Sequence, residues 1–408
     1  MKILQVNCVY DYGSTGKLTK NLHEGLVSQE IASCVLYGRR QKVHEKNIYK
    51  TCTEFEAKSW NMISRLTGSI YSAAPVGTAK LIDYLQREKP DIVHLQCLNG
   101  FFVNIYRLLN YLKKEKIHTI LTLHAEFMFT GGCSHAVECM QWADAEGCGK
   151  EKCPYYHSDM KSIFLDRSGY MWKKMQKAFE GFEENLTVVS VSPWLMDRAK
   201  RSTILKDKKH QVILNGVDTE IFKFLPTSEL REKHGCVGKK VVFHATAAFS
   251  PKIAHIKGGY YVLELARRMP EVLFLVAGQC IEKIDAPPNL IFLGKISDQR
   301  LLAQYYSMAD LTLLTSKRET FSMICAESLC CGTPVAGFKA GGPESIALPE
   351  YSDFFEFGNI DELQDFINKN RTGNSKAEIA EKAQKVYSVD TMINKYIELY
   401  KRSCADGD

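Results

Sequence analysis

Residues 310–338, DLTLLTSKRETFSMICAESLCCGTPVAGF, contain the plan of the fold in one stretch. Asp310–Ser316 is a short apolar run rich in Leu and Thr, and such a run reads as a buried strand. A charged loop follows, and then a helix-length stretch that stops at Cys331-Gly332-Thr333-Pro334, where glycine and proline end a helix. Thr333–Phe338 reads as the next strand. Strand, crossover helix and strand in this order make a parallel β-α-β unit.

The same alternation runs outward in both directions. Upstream, strands are expected at Lys2–Tyr10, Ser33–Gly38, Asp91–Cys97, His118–His124 and Leu186–Ser192, separated by helices such as Lys17–Ser28, Thr78–Glu88 and Asn104–Lys113. A second series follows at Lys239–Thr246, Glu271–Gly278 and Asn289–Gly294 before the quoted stretch. Two strand series favour two Rossmann-like α/β domains over one very wide sheet. The divide is read near Lys206–Thr227, where a short strand, Gln211–Leu214, enters the Asn215-Gly216 turn and Pro226 follows. The expected domains are therefore residues 1–205 and 206–389. A closing amphipathic helix, Asp390–Lys401 within residues 390–408, is expected to dock on the first of them.

With 408 residues, 45% hydrophobic and 25% charged, the chain can bury real cores and is not of disordered or fibrous composition. Lys and Arg exceed Asp and Glu by 53 to 47. That formal charge of +6 is too small for a dedicated nucleic-acid binder and agrees with an anionic small ligand or an anionic membrane surface. No apolar run is long enough to cross a bilayer, and the start lacks the pattern of a signal peptide, so the chain is expected in the cytoplasm. Its fourteen cysteines are then expected to be mostly reduced.

Four places can carry chemistry. The first strand ends in Tyr10-Asp11-Tyr12-Gly13-Ser14-Thr15-Gly16 and a helix follows; Gly13 and Gly16 allow backbone N–H groups to approach phosphate or sugar oxygens. A plain tight turn capped by Ser14 or Thr15 is the alternative. In the quoted stretch, Glu319 precedes a helix start and Glu327 lies about two turns along it, a pair suited to sugar hydroxyls and a ribose diol unless both are merely solvated charges. Lys252 and Lys257-Gly258-Gly259 follow strand Lys239–Thr246 and can offset a diphosphate or remain ordinary loop cations. His124 closes strand His118–His124 at the carboxyl edge, where doubly wound sheets bind ligands, though a lone histidine is often only packed.

Taken together, Ser316-x-x-Glu319-x7-Glu327, Gly332-Thr333-Pro334-Val335-Ala336 and Gly341-Gly342-Pro343-Glu344 resemble the donor-site signature of retaining glycosyltransferases of the GT-B fold, glycosyltransferase family 4. The resemblance extends to Asn215-Gly216-Val217-Asp218, Lys257-Gly258, Val276-Ala277-Gly278, Phe292-Leu293-Gly294 and the Gly13–Gly16 loop. His124-Ala125-Glu126-Phe127 with Phe129-Thr130-Gly131-Gly132-Cys133 looks like the polysaccharide-biosynthesis branch. The resemblance implies transfer of a hexose from a UDP- or GDP-sugar to a hydroxyl of a glycan or polyprenyl-linked acceptor, the anomeric configuration being kept.

By position in the motif, the resemblance implies that Glu319 contacts the sugar hydroxyls, the amides of Thr320, Phe321 and Ser322 support sugar and phosphate, and Glu327 holds the ribose. It further implies that Lys257 offsets diphosphate charge, that backbone near Lys295 and Ile296 meets the base, and that His124 and the Gly16 loop approach sugar and diphosphate. In the family's scheme the leaving phosphate oxygen takes the acceptor proton, so no side-chain base and no catalytic metal are required. Segment Thr246–Lys257 lacks the arginine many members carry, and Lys252 is the candidate substitute.

Cys133, Cys139, Cys148 and Cys153 fall in one segment with C-x5-C-x8-C-x4-C spacing, open to a structural zinc, to disulfides, or to plain thiols. Asn104–Lys116 and Lys161–Phe182 mix aromatic and basic residues; they can rest on anionic lipid as a peripheral membrane contact or be core-facing helices with solvated lysines. The competing functions are a sugar-nucleotide epimerase or phosphorylase of the same fold, and a non-catalytic nucleotide-sugar-binding or zinc-dependent interaction protein.

Overall fold

The computed structural model describes residues 1–236, 238–369 and 375–405 and divides into two compact units, 1–214 with 393–408 and 215–392. The first unit holds β1 (Lys2–Asn7), β2 (Ala32–Tyr37), β3 (Ile48–Lys50), β4 (Ile92–Leu95), β5 (His118–Leu123), β6 (Leu186–Ser190) and β7 (Lys209–Val212). They form one sheet in the order β3-β2-β1-β4-β5-β6-β7, every pair parallel. The chain order reverses between β1 and β4, which leaves a crevice at the carboxyl ends of those strands.

The second unit holds β8 (Val241–Phe249), β9 (Leu273–Cys280), β10 (Leu290–Gly294), β11 (Leu311–Leu314), β12 (Val335–Phe338) and β13 (Ser352–Phe355). They form a parallel sheet in the order β10-β9-β8-β11-β12-β13, again with the reversal beside the unit's first strand. Its core includes a cluster in which Phe249, Val262, Leu265, Phe274, Leu313 and Phe338 are buried.

The first unit runs nine residues further than position 205, because β7 pairs with β6 and carries the short Gln211–Leu214 region into the first sheet. A four-residue run cannot announce which sheet it will join; only its partner decides that. The closing helix, Val389–Ala405, packs on the first unit from Ile393 onward. Two features lock it there. A Cβ on Gly25 would sit 2.3 Å from Ile393 Cδ1, so the glycine lets the Ile393 side chain pack directly against the helix Gly13–Ser28. Beneath it the buried His94 imidazole is hydrogen-bonded to Tyr400 OH at 2.7 Å and to Thr122 Oγ1 at 2.7 Å, and Thr122 Oγ1 also meets Tyr396 OH at 2.9 Å.

Burial pushes the His94 imidazole down from 6.5 to about 3, with His124 adding a smaller effect in the same direction. In the unfolded chain the ring takes up a proton that the native state refuses. This contribution to stability is complete above about pH 6.5 and is lost as pH falls toward 3, by up to about 1.4 kcal/mol per pH unit. Urea unfolding is expected to show falling stability from pH 7 to pH 5, with a shallower slope in His94→Gln; an unchanged slope in that variant would assign the loss to other groups.

The helices of the two aromatic and basic segments face the core. The helix Ile105–Lys114 buries Ile105, Tyr106, Leu108, Leu109 and Leu112, and the helix Ser168–Phe179 buries Met171, Trp172, Met175 and Phe179. Lys113 Nζ donates to the Ala178 and Glu180 carbonyls at 3.2 and 2.7 Å, so even one of the lysines is spent inside the unit. For helix Ile105–Lys114 the core-facing one of the two readings holds.

Candidate active site

The second unit gathers its functional side chains at the carboxyl ends of β8 to β11. Lys257 lies in the loop after β8 and Glu319 in the loop after β11, and these strands are neighbours. The Lys257 ammonium donates to Glu319 Oε1 at 2.6 Å, with both side chains only partly exposed. Close backbone packing makes the pair possible. Gly258 sits at φ +67°, and a Cβ there would fall 1.9 Å from the Thr315 carbonyl oxygen, so glycine alone lets the two loops touch. Thr315 Oγ1 closes the contact by donating to the Lys257 carbonyl at 3.3 Å.

Glu319 is held through its backbone from a third loop. Its N–H donates to the Ala340 carbonyl at 3.0 Å, and Gly342 N–H donates to the Glu319 carbonyl at 2.8 Å. The Gly341 turn is itself clamped by Glu344, whose carboxylate accepts from Ala340 N–H at 3.0 Å and Gly341 N–H at 2.7 Å. Glu344 is thus a positioning residue for Glu319. Its sequence signal is an acid three residues into a helix after a glycine cap, the pattern of a capping box. Thr320 and Phe321 are buried, and Ser322 caps the helix Met323–Cys330 by accepting from Cys325 N–H at 3.3 Å. Ser322 does so at φ +84°. A non-glycine residue in that region is uncommon and persists only where its surroundings dictate it.

Glu327, on the same helix, lines a recess of about 420 Å³ together with Lys295, Ile296, Thr246, Gly278 and Tyr306. Tyr306 OH donates to Glu327 Oε2 at 3.2 Å and orients the carboxylate. Tyr306 was not singled out from sequence, because a tyrosine inside an amphipathic helix looks like any core residue. Glycine is obligatory at Gly278, where φ is +147° and a Cβ would meet the Thr246 carbonyl oxygen at 2.1 Å. The recess thus combines the carboxyl ends of β8, β9 and the loop after β10 with one helix-borne carboxylate. Lys252 is mostly exposed and ion-paired with Glu282 at 3.3 Å.

In the first unit, Gly13 opens the helix Gly13–Ser28 at φ +63° with open space where a Cβ would be. Neither Ser14 nor Thr15 caps this helix; the N-cap is Tyr12, with no side-chain cap. Gly16 is buried in the first turn of this helix, its carbonyl accepting from Asp11 N–H at 3.1 Å. His124 follows β5 directly, partly buried, and desolvation pushes its imidazole down to about 4, so the ring is neutral at physiological pH. The adjacent Glu126 serves the fold. It is fully buried against the Arg198 guanidinium and accepts from Ala136 N–H at 2.7 Å, which pins the cysteine-bearing segment to the sheet.

All fourteen cysteines are free thiols, so the disulfide reading of the cluster is set aside. The neighbouring Cys153 and burial push the Cys133 thiol up, while Cys133 beside it brings the Cys153 thiol down to about 7. Cys148 Sγ accepts from Gly131 N–H at 3.2 Å. Among the described residues no group of three or more His, Cys, Asp or Glu side chains is arranged to hold a metal ion.

The two Rossmann-like sheets make up the GT-B fold, with an acid–lysine pair and a carboxylate-lined recess at the strand ends of the second. The chain matches the family described as Glycosyltransferase Family 4 over residues 15–221 and that described as Glycosyl transferases group 1 over residues 228–386. It belongs to glycosyltransferase family 4. Among curated relatives it is 21% identical, over 98% of its own length and all of the other chain, to a protein of Escherichia coli K12 assigned to colanic acid biosynthesis as glycosyl transferase WcaC. It is 25% identical to the N-acetyl-α-D-glucosaminyl L-malate synthase of Bacillus anthracis over 45% of this chain and 50% of that one. Among solved structures, Anabaena HepE in complex with UDP superposes with a TM-score of 0.66 over 98% of this chain and 100% of that chain, at 16% identity.

Proposed function

We propose that this protein transfers a hexose from a UDP- or GDP-sugar to a hydroxyl of a lipid-linked glycan acceptor, with the anomeric configuration retained, in the biosynthesis of a surface polysaccharide. The observation that carries the proposal is the Lys257–Glu319 contact at 2.6 Å on the same sheet edge as the recess bearing Glu327, Lys295 and Ile296. The colanic-acid assignment of the Escherichia coli relative supports the polysaccharide context, and the UDP complex of the Anabaena neighbour supports the uridine arm.

In this reading Glu319 accepts hydrogen bonds from donor-sugar hydroxyls and holds Lys257 in place. Lys257 neutralises the diphosphate as the glycosidic bond breaks, stabilisation aimed at the charge that develops in the transition state. Glu327, oriented by Tyr306, receives the ribose hydroxyls, and backbone near Lys295 and Ile296 meets the base. The amides of Thr320, Phe321 and Ser322, the Gly13 and Gly16 loop and Lys252 are assigned to sugar and phosphate. His124, neutral, hydrogen-bonds the sugar without adding charge. The departing phosphate oxygen takes the acceptor's proton, so no side-chain base is assigned.

A donor panel tests this directly. Incubation with UDP- and GDP-hexoses and a membrane extract as acceptor source is expected to yield, for one donor, a glycosylated lipid whose new linkage keeps the donor's anomeric configuration by NMR. Conversion of the donor to an epimer without acceptor would assign the epimerase reading. Tight binding with no turnover of any donor would assign the binding-protein reading.

A further inference from the structure

The helix Glu54–Thr67 in the first unit is amphipathic with its faces exchanged. Its buried residues are Ala57 and Ser64, whereas Phe55 is 83% exposed, Met62 67% and Leu66 46%. The spacing of 55, 62 and 66 places these three side chains on one stripe, with Lys58 and Arg65 along its flank. A core helix does the opposite.

A second exposed apolar segment lies against the end of this helix. In the loop after it in space, Ile163, Phe164 and Leu165 are exposed, Phe164 by 69%. Ile163 N–H donates to the Arg65 carbonyl at 2.8 Å, and the Leu165 carbonyl oxygen packs where a Cβ on Gly68 would lie, 2.4 Å away. Arg167 reaches Ser69 Oγ at 3.4 Å. Helix and loop therefore present one surface in which Phe55, Met62, Leu66 and Phe164 stand among Lys58, Arg65, Lys161 and Arg167.

The acids nearby are occupied elsewhere. Glu54 is ion-paired with Arg39 at 3.0 Å, and Glu56 accepts from Val76 and Gly77 N–H at 3.0 and 3.2 Å. Asp166 accepts from Cys153 and Ser168 N–H at 2.7 and 3.0 Å. The surface is thus apolar at its centre and cationic at its rim. It also borders a recess of about 310 Å³ at the carboxyl edge of β4, to which Asn61 of the helix and Lys161 of the loop both contribute.

We infer that this surface docks the protein on an anionic lipid bilayer, the apolar stripe entering the headgroup boundary while the four cations meet lipid phosphates. A helix of 14 residues is about 21 Å long, enough to lie in the interface but not to cross it. Charge favours lipid over a second copy of the chain, since self-apposition would set Lys58 and Arg65 against like charges. The inference deepens the lipid-linked-acceptor reading and rests on it for its purpose, but vesicle binding and sugar transfer are separate readouts, so either can fail while the other stands.

The test is co-sedimentation of the full chain with vesicles of phosphatidylcholine and of an equimolar phosphatidylcholine–phosphatidylglycerol mixture. Binding to the mixed vesicles is expected to exceed binding to the neutral ones about tenfold and to weaken with salt. The combined variant Phe55→Ser/Met62→Ser/Leu66→Ser is expected to lose about tenfold at all salt concentrations, and Lys58→Glu/Arg65→Glu about tenfold at low salt only. Both should keep the wild-type circular dichroism and donor turnover in detergent. Equal binding to the two vesicle types, no binding, or wild-type binding by both variants overturns the inference. A solution dimer that the serine variant dissociates would also overturn it, in favour of self-association.

Discussion

Glu319→Ala is expected to lower kcat for sugar transfer about 10²–10³-fold while the KM for the donor moves far less, because the carboxylate acts on the sugar at the reacting centre. Its loss also leaves Lys257 without the partner that now fixes it at 2.6 Å. Glu319→Gln keeps the shape and one acceptor oxygen but removes the charge, so it should recover part of the hydroxyl contact and little of the lysine's placement. Steady-state kinetics of both variants with the active donor decide the point, with thermal unfolding as the control. The carboxylate is partly exposed and its backbone bonds to Ala340 and Gly342 survive substitution, so folding should be unaffected. A Glu319→Ala enzyme with wild-type kcat would remove this residue, and with it the carrying observation, from the proposed mechanism.

The second large effect is expected at Lys257. Bond breaking leaves an extra negative charge on the diphosphate, and an ammonium already in place stabilises it without reorganisation. Lys257→Ala should reduce kcat about 10²–10³-fold and weaken inhibition by the nucleoside diphosphate product, which carries the same charge. Lys257→Arg should restore the charge but not the geometry, since a planar fork cannot occupy the site of a compact ammonium. Because Lys257 and Glu319 touch, the double variant should fall short of the product of the two single losses; strict multiplicativity would mean that the residues act independently.

The chemistry on the second unit was legible because it follows punctuation that sequence displays. Each functional loop comes directly after a β-branched or leucine-rich run and before a helix, so Glu319, Lys257, Lys295 and Ile296 could be placed at strand ends without coordinates. Tyr306 was not legible, since its role consists of one hydrogen bond to a carboxylate 21 residues along the chain. The three-residue β3 was equally silent, being a strand only by virtue of β2 beside it. The spacing of the cysteine segment left a metal, disulfides and plain thiols open, because spacing does not say where side chains point. Packing shows that Cys133, Cys148 and Cys153 are buried and that Cys148 Sγ accepts from Gly131 N–H.

The membrane question shows the division most sharply. Aromatic and basic residues in segments 104–116 and 161–182 carry the same local signal whether they face lipid or core, and periodicity cannot say which way a stripe points. Neighbours decide. Helix Ile105–Lys114 is covered, while helix Glu54–Thr67 turns small residues inward because Ala57 and Ser64 are what the first unit has room for, which leaves Phe55 and Met62 in solvent.

What the chain's order of residues settled alone was the alternation of strands and helices, hence two parallel sheets, and the loops at which ligand chemistry sits, because both depend on local pattern. Which side chains touch, which acids are spent on internal partners and which apolar stripe stays uncovered depended on packing between segments distant in sequence. Those contacts exist only once burial has chosen the partners.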